Sequence, residues 1–319
     1  MNILVTGGAG FIGFHTAKKL LSKNHKVIIV DNFNNYYDPK IKYNRIKQIK
    51  ANKNLKIYKT DISDFKKISK IFQENKIDKI CHLAAQAGVR YSIENPFIYE
   101  ESNLKGFINI LECAVKFKIK NIVFASSSSI YGDNKMKKTG FSEQDKTDCP
   151  ISLYGATKKS DELIAYSYHK MHKINFIGLR FFTVYGPWGR PDMALFKFTK
   201  NILKNKPIDV YNNGKMQRDF TYIDDIVDGI VKCLNKNFKF EIFNLGNSRT
   251  IQLKYFIKII EKELNKKAKI KYLPMQMGDV TKTFANITKA KRMLNFKPKT
   301  NIEKGIKNFI SWYIKYYAK

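Results

Sequence analysis

The sequence predicts an α/β fold, a doubly wound parallel sheet joined by a smaller C-terminal α/β lobe, and three observations carry that reading. Gly7, Gly10 and Gly13 stand at G-x-x-G-x-x-G spacing where the apolar run Ile3 to Val5 gives way to a helical stripe of Phe11, Ile12 and Leu20. A second apolar run, Lys26 to Val30, ends in Asp31. Further strand-like runs then alternate with longer helical patterns.

In the first unit, strand, glycine turn and helix together let backbone N–H groups and a helix N-terminus approach a pyrophosphate without intervening side chains. A glycine triplet alone would merely close a turn. Asp31 is placed to accept hydrogen bonds from both adenosine ribose hydroxyls and to repel a 2′-phosphate, which predicts NAD rather than NADP. The later runs are Leu55 to Tyr58, Ile77 to His82, Asn121 to Ala125 and Asn175 to Leu179. Asp61 and Ile62 follow the third strand, at the carboxyl edge where an open sheet binds ligands.

From Gly186 the texture changes, with Pro187, Pro191 and Pro207 and short strand-like pieces at Ile208 to Tyr211 and Glu241 to Leu245. The expected division is a dinucleotide-binding domain over 1–180 and a substrate lobe over 181–319, with some segments interleaved. Two lobes make a cleft. No repeat, low-complexity tract or flexible linker separates them.

Composition narrows the class. No apolar stretch in the 319 residues approaches the roughly 18 needed to span a bilayer. The chain opens on its first strand, which leaves no room for a signal peptide, so a cytoplasmic protein with no membrane partner is expected. A net charge of +32, from 59 basic and 27 acidic residues, invites a nucleic-acid reading. The lysines, however, are scattered without a basic arm, which fits a solvated surface with only non-specific attraction to polyanions. Four of the seven arginines, Arg90, Arg180, Arg190 and Arg218, lie in segments rich in aromatic residues and glycine, where a planar forked donor suits phosphate or carboxylate. Cys81, Cys113, Cys149 and Cys233 have no C-x-x-C spacing and read as reduced thiols. His169 and His172 lack a third ligand, so no metal is expected, and His82 reads as structural.

The chemistry-bearing pattern begins where Asn121 to Ala125 runs into Ser126, Ser127, Ser128 and Ser129, four hydroxyls at the carboxyl edge of the sheet. Tyr154 and Lys158 then open a helix at i, i+4 spacing and share one face. A phenol that ordinarily ionises near 10 must fall to about 7 to act as a base, roughly 4 kcal/mol of preferential phenolate stabilisation. A neighbouring ammonium and a positive nicotinamide ring supply it.

On these residues the chain resembles the extended short-chain dehydrogenase/reductases of the nucleotide-sugar epimerase and dehydratase group, from Met1 to about Phe296. The most specific segments are H-L-A-A-Q-A-G-V-R-Y-S (His82 to Ser92), F-F-T-V-Y-G-P-W-G-R-P-D-M-A (Phe181 to Ala194) and R-D-F-T-Y-I-D-D-I (Arg218 to Ile226). Together they resemble the UDP-glucuronate 4-epimerase branch most closely. The resemblance implies a Rossmann-type domain with a nucleotide-sugar lobe, and a homodimer formed through two helices per subunit, here about Pro96 to Phe117 and Leu153 to His172.

It also implies site roles. Gly7, Gly10, Phe11, Ile12 and Gly13 would hold the NAD pyrophosphate, Asp31 and Asn32 the adenosine ribose, and Asp61 and Ile62 the adenine. Ala84, Ala85 and Asn103 would line the cofactor channel. Ser127 would orient the sugar 4-hydroxyl, Tyr154 would be the base, and Lys158 would favour its phenolate and contact the nicotinamide ribose. For a UDP-sugar substrate, Arg190 and Arg218 would engage the diphosphate, Tyr211 the uracil, and Gln276 and Asp279 the uridine and its ribose, with Arg90 also on the substrate side.

Departures from sister branches sharpen the expectation. Sugar-nucleotide 4,6-dehydratases resemble this chain but place Asp-Glu where it has Ser128 and Ser129. UDP-glucuronate decarboxylases typically carry Glu at Ser129, and UDP-glucose 4-epimerases usually carry Asn at Thr183. The expected reaction is 4-epimerisation of UDP-glucuronate to UDP-galacturonate through a 4-keto sugar, with Ser128, Ser129 and Thr183 hydrogen-bonding the carboxylate. The alternatives are epimerisation of another UDP-hexose or UDP-N-acetylhexosamine, decarboxylation, or a non-catalytic dinucleotide-sensing or polyanion-binding role.

Overall fold

The computed structural model describes all residues except Met277, Asp279, Ala318 and Lys319. Seven parallel strands form the central sheet. They include β1 (Asn2–Thr6), β2 (Lys26–Asp31), β3 (Leu55–Lys59), β4 (Lys79–His82), β5 (Asn121–Ser127) and β6 (Asn175–Phe181). The strand order is β3, β2, β1, β4, β5, β6 and then an edge strand, Phe240–Leu245. β1 pairs with both β2 and β4, so the connections run outward in opposite directions from this point and leave a crevice at the carboxyl ends.

Successive residues in these strands face opposite layers, so both sets of side chains must be apolar. Ile3, Val5, Val27, Ile29, Cys81, Val123 and Ile177 pack into one buried cluster. Leu4, Ile28, Val30, Ile80, Ile122, Phe124 and Phe176 pack into the other. The first layer includes Phe14, Ala17, Leu20 and Leu21 of helix α1 (Phe11–Ser22) and the buried face of Ile223–Leu234. The second includes Ile68, Ile71 and Phe72 of Phe65–Glu74 and the apolar face of Gly106–Lys116.

The strand expected at Glu241 to Leu245 is present, but it pairs in parallel with β6 and completes the central sheet instead of lying in the smaller lobe. That lobe is made of short pairs. Ile208–Tyr211 runs parallel to Ile270–Leu273, Thr183–Tyr185 runs parallel to Phe220–Tyr222, and Gln217–Arg218 runs antiparallel to Ile251–Gln252.

The helix expected from Pro96 to Phe117 is interrupted: Glu100–Lys105 adopts π geometry between Pro96–Tyr99 and Gly106–Lys116. Leu153–His172 is one continuous helix, with Ser152 capping it by accepting a hydrogen bond from Gly155 N–H at 3.1 Å. Among the described residues no helix is long and apolar enough to cross a membrane.

Candidate active site

A cleft of about 710 Å³ opens at the carboxyl edge of the sheet, between the glycine turn and the smaller lobe. The turn is built on close backbone approach. Gly7 has φ +66°, and its N–H donates to Val30 O at 2.7 Å, fastening the turn to β2. A Cβ on Gly13 would stand 2.1 Å from Gly7 O, so any side chain there would force the turn apart. α1 begins after Gly10 with no side-chain cap, leaving its positive end directed at the cleft edge. A cradle that a Cβ would fill, at an uncapped helix start, fits a dinucleotide pyrophosphate.

Asp31 is buried and organises the turn as well as lining the cleft. Its carboxylate accepts from Ala9 N–H at 3.1 Å and Phe33 N–H at 2.8 Å, with Lys42 Nζ 3.8 Å away. Asn32 donates to Asp61 Oδ2 at 2.7 Å, which brings those two expected ribose and adenine residues together. Burial pushes the Asp61 carboxyl up, but hydrogen bonds from Ser63 N–H and Asn32 outweigh it and hold the group below its ordinary value.

Gly10, Phe11, Ile12, Ile62, Ala84 and Ala85 also line the cleft. Asn103 does not. The π segment turns its side chain behind the wall, where it accepts from Gln86 N–H at 2.8 Å and donates to Gln86 O at 3.1 Å and Thr157 Oγ1 at 3.0 Å.

Ser127, Tyr154 and Lys158 converge on the cleft from β5 and the helix Leu153–His172. Ser127 Oγ accepts from Ser129 N–H at 3.1 Å, and a 3-10 turn, Ser128–Tyr131, carries Ser128 and Ser129 along the cleft wall. Tyr154 packs edge-on against Tyr99, and its N–H reaches Ser92 Oγ at 3.3 Å. Lys158 is 2 % exposed and donates to Asp161 Oδ2 at 3.0 Å. Burial pushes the Asp161 carboxyl up to about 6 against the pull of that ammonium. His82 is pushed down to about 3 by burial and by Lys158, so its ring is neutral. Thr6 Oγ1 lies 2.9 Å from His82 Nδ1, a fixed internal contact that suits a structural group.

Thr183, Arg190, Tyr211, Arg218 and Arg90 also line the cleft. Arg190 forms a two-pronged pair with Asp192, its Nε 3.0 Å from Oδ1, and lies over the Tyr36 ring. Arg90 lies over the Tyr211 ring at 4.5 Å. Gln276 is not among the cleft-lining residues, and its Oε1 is buried with no hydrogen-bond partner among the described residues. Asp279 lies outside the described residues.

Arg180 meets the protein's own carboxylate. It bonds Glu162 through Nε at 2.9 Å and Nη2 at 2.8 Å, deep under the serine strand. Sequence reasoning passed over Tyr36, Lys42 and Asp192, which all line the cleft. Asp192 stood inside the quoted G-R-P-D-M-A segment, and a carboxylate two residues after an arginine was a signal of pairing. His169, whose Nδ1 lies 2.7 Å from Ile174 O, belongs to no metal cluster among the described residues.

A family profile described as GDP-mannose 4,6 dehydratase matches residues 4–309. An uncharacterized protein of Methanocaldococcus jannaschii is 55% identical over 315 residues, covering 98% of this chain and 96% of the relative. The UDP-glucuronate 4-epimerase of Thermodesulfobacterium geofontis is 44% identical over 310 residues, covering 97% and 95%. The crystal structure of UDP-glucuronic acid 4-epimerase from Bacillus cereus, in complex with UDP-glucuronic acid and NAD, superposes with a TM-score of 0.93 at 35% identity, covering 99% of this chain and 100% of that one. With a cradle shaped for a dinucleotide, a Tyr and Lys on one helical face beside it and likeness along nearly its whole length, the chain belongs to the GDP-mannose 4,6-dehydratase family of extended short-chain dehydrogenase/reductases.

Proposed function

We infer that this protein is an NAD-dependent 4-epimerase that interconverts UDP-glucuronate and UDP-galacturonate through a 4-keto sugar. One observation carries the reading: Ser127, Tyr154 and Lys158 share a cleft with Ser128, Ser129 and Thr183, so neutral hydroxyls stand where an acid would be needed for elimination. The likeness to named UDP-glucuronate 4-epimerases supports it.

Bound NAD supplies the hydride acceptor and donor for sugar C4, held by the glycine turn, Asp31, Asn32, Asp61 and Lys158. Tyr154 takes the 4-hydroxyl proton as that carbon is oxidised and returns it after the ketone has turned its other face. Ser127 orients the hydroxyl. The Lys158 ammonium, anchored by Asp161, stands one helical turn from Tyr154 on the same face. Arg190 and Arg218 serve the UDP diphosphate, and Tyr211, with Arg90 stacked on its ring, serves the uracil end of the substrate. Since the hydride returns, NAD stays bound from turnover to turnover.

A 4-keto glucuronate is a β-keto acid and loses carbon dioxide if its carboxylate turns perpendicular to the ketone plane. Ser128, Ser129 and Thr183 hydrogen-bond that carboxylate and fix its orientation. Thr183→Val is therefore expected to raise the UDP-pentose by-product or weaken UDP-glucuronate binding; unchanged kinetics and product purity would remove this role.

The subunits pair through the interrupted helical stretch from about Pro96 to Phe117 and the helix Leu153–His172, where Phe97 is 84 % exposed and Ile108, Leu163 and Met171 are also open to solvent. We place the enzyme in the cytoplasm, making precursors for surface polysaccharide. Incubation with UDP-glucuronate and chromatographic separation of products tests the function. UDP-galacturonate is expected; UDP-xylose would transfer the reading to a decarboxylase, and no turnover of any nucleotide sugar would leave a binding module.

A further inference from the structure

Three successive carbonyls in the loop leading to Arg190 are held by side chains of the dinucleotide-binding half. His15, on α1, lies with Nε2 2.9 Å from Pro187 O. Burial pulls this ring down to about 4, so it is neutral and donates through Nε2–H. Arg45, on the helix Lys40–Lys47 and wholly buried, donates to Trp188 O from Nε at 3.1 Å and Nη2 at 2.6 Å, and to Gly189 O from Nη2 at 3.3 Å. Its Nη1 donates to Ala9 O, inside the glycine turn, at 3.0 Å and to the Tyr37 hydroxyl at 2.9 Å. One guanidinium thus ties the β1–α1 turn to the loop between Gly186 and Arg190.

That loop needs holding. Trp188 has φ +62°, a left-handed conformation that a bulky residue keeps only where its surroundings over-determine it. Its ring is packed among Phe14, Trp312 and Tyr316, and its carbonyl is gripped by Arg45. Two residues on, Arg190 enters the cleft.

We propose that Arg45 is a positioning residue for substrate: it fixes the Trp188–Gly189 backbone so that Arg190 is aimed into the cleft, and through Ala9 it couples the dinucleotide turn to nucleotide-sugar affinity. The proposal rests on the epimerase reading, in which Arg190 meets the substrate diphosphate. A lysine has the charge but not the planar fork that spans carbonyls on two loops.

Arg45→Lys and Arg45→Met, each alone and combined with Arg190→Ala, are assayed with UDP-glucuronate, and bound NAD is measured on the same preparations. Arg45→Lys is expected to raise KM about ten-fold with a much smaller change in kcat, and this increase should disappear when Arg190 is absent, because nothing is left to aim. A KM unchanged by Arg45→Lys, or an equal rise with and without Arg190, overturns the proposal. Should Arg45→Met fail to fold, the lysine variant, which keeps a buried cation, still decides. Absence of epimerase activity in the parent chain, or an Arg190→Ala variant with unaltered KM, would sink the functional reading and this inference with it.

Discussion

Tyr154→Phe is expected to lower kcat for UDP-glucuronate by about 10²- to 10⁴-fold, the usual worth of a general acid–base group, while the protein keeps its fold and its NAD. The substitution removes one hydroxyl and little else. The ring contact with Tyr99 and the N–H bond to Ser92 Oγ survive, so a stability change would not account for the loss. The effect falls on kcat rather than on KM alone, because the proton moves only as C4 is oxidised or reduced. Product formation, thermal midpoint and dinucleotide released on denaturation are read from one preparation. A variant that inverts the sugar at the parent's rate would exclude Tyr154 as the base.

Glu162→Ala is expected to cost about 3–5 kcal/mol of stability, the loss typical when one partner of a buried ion pair is removed. Arg180 and Glu162 side chains are 5 % and 6 % exposed. Glu162 Oε1 also accepts from Ser126 Oγ at 2.6 Å, and Arg180 also donates to the Tyr131 hydroxyl at 3.0 Å. Removing the carboxylate leaves a buried guanidinium and a buried serine without their acceptor. Denaturant titration of the parent, Glu162→Ala and Glu162→Gln measures this, the amide being the milder change because it keeps an acceptor. The exposed pair of Lys70 and Glu74, 3.9 Å apart, serves as the contrast, since Glu74→Ala should change stability by less than about 1 kcal/mol. Equal losses at the two sites would contradict the role given to burial.

Some of this was written in local spacing. The glycine turn, Asp31 at the end of β2, the serine-ended β5 and the Tyr154/Lys158 face each depend on residues a few positions apart, and strand or helix geometry converts such spacing directly into direction. The smaller lobe was legible only in part. Ile208–Tyr211 has the strand bounds read from its apolar run, yet nothing local told Phe240–Leu245 to join β6 in the main sheet, because pairing is decided by the far partner. The resemblance implies that Asn103 lines the cofactor channel; its side chain, on the π segment, is bonded to the Gln86 backbone.

The sequence by itself determined the strand–turn–helix order, the choice of a dinucleotide cradle and the identity of the Tyr, Lys and Ser that meet in the cleft, because backbone periodicity and glycine sterics act over a few residues. Tertiary structure alone decided which arginines face the cleft and which are spent inside: Arg190 lines it, Arg180 is committed to Glu162, and Arg45 bridges Ala9 and Trp188. The reason is physical. A guanidinium reaches acceptors far apart in sequence, and which ones it meets is fixed only when the two halves pack and each buried donor must find a partner.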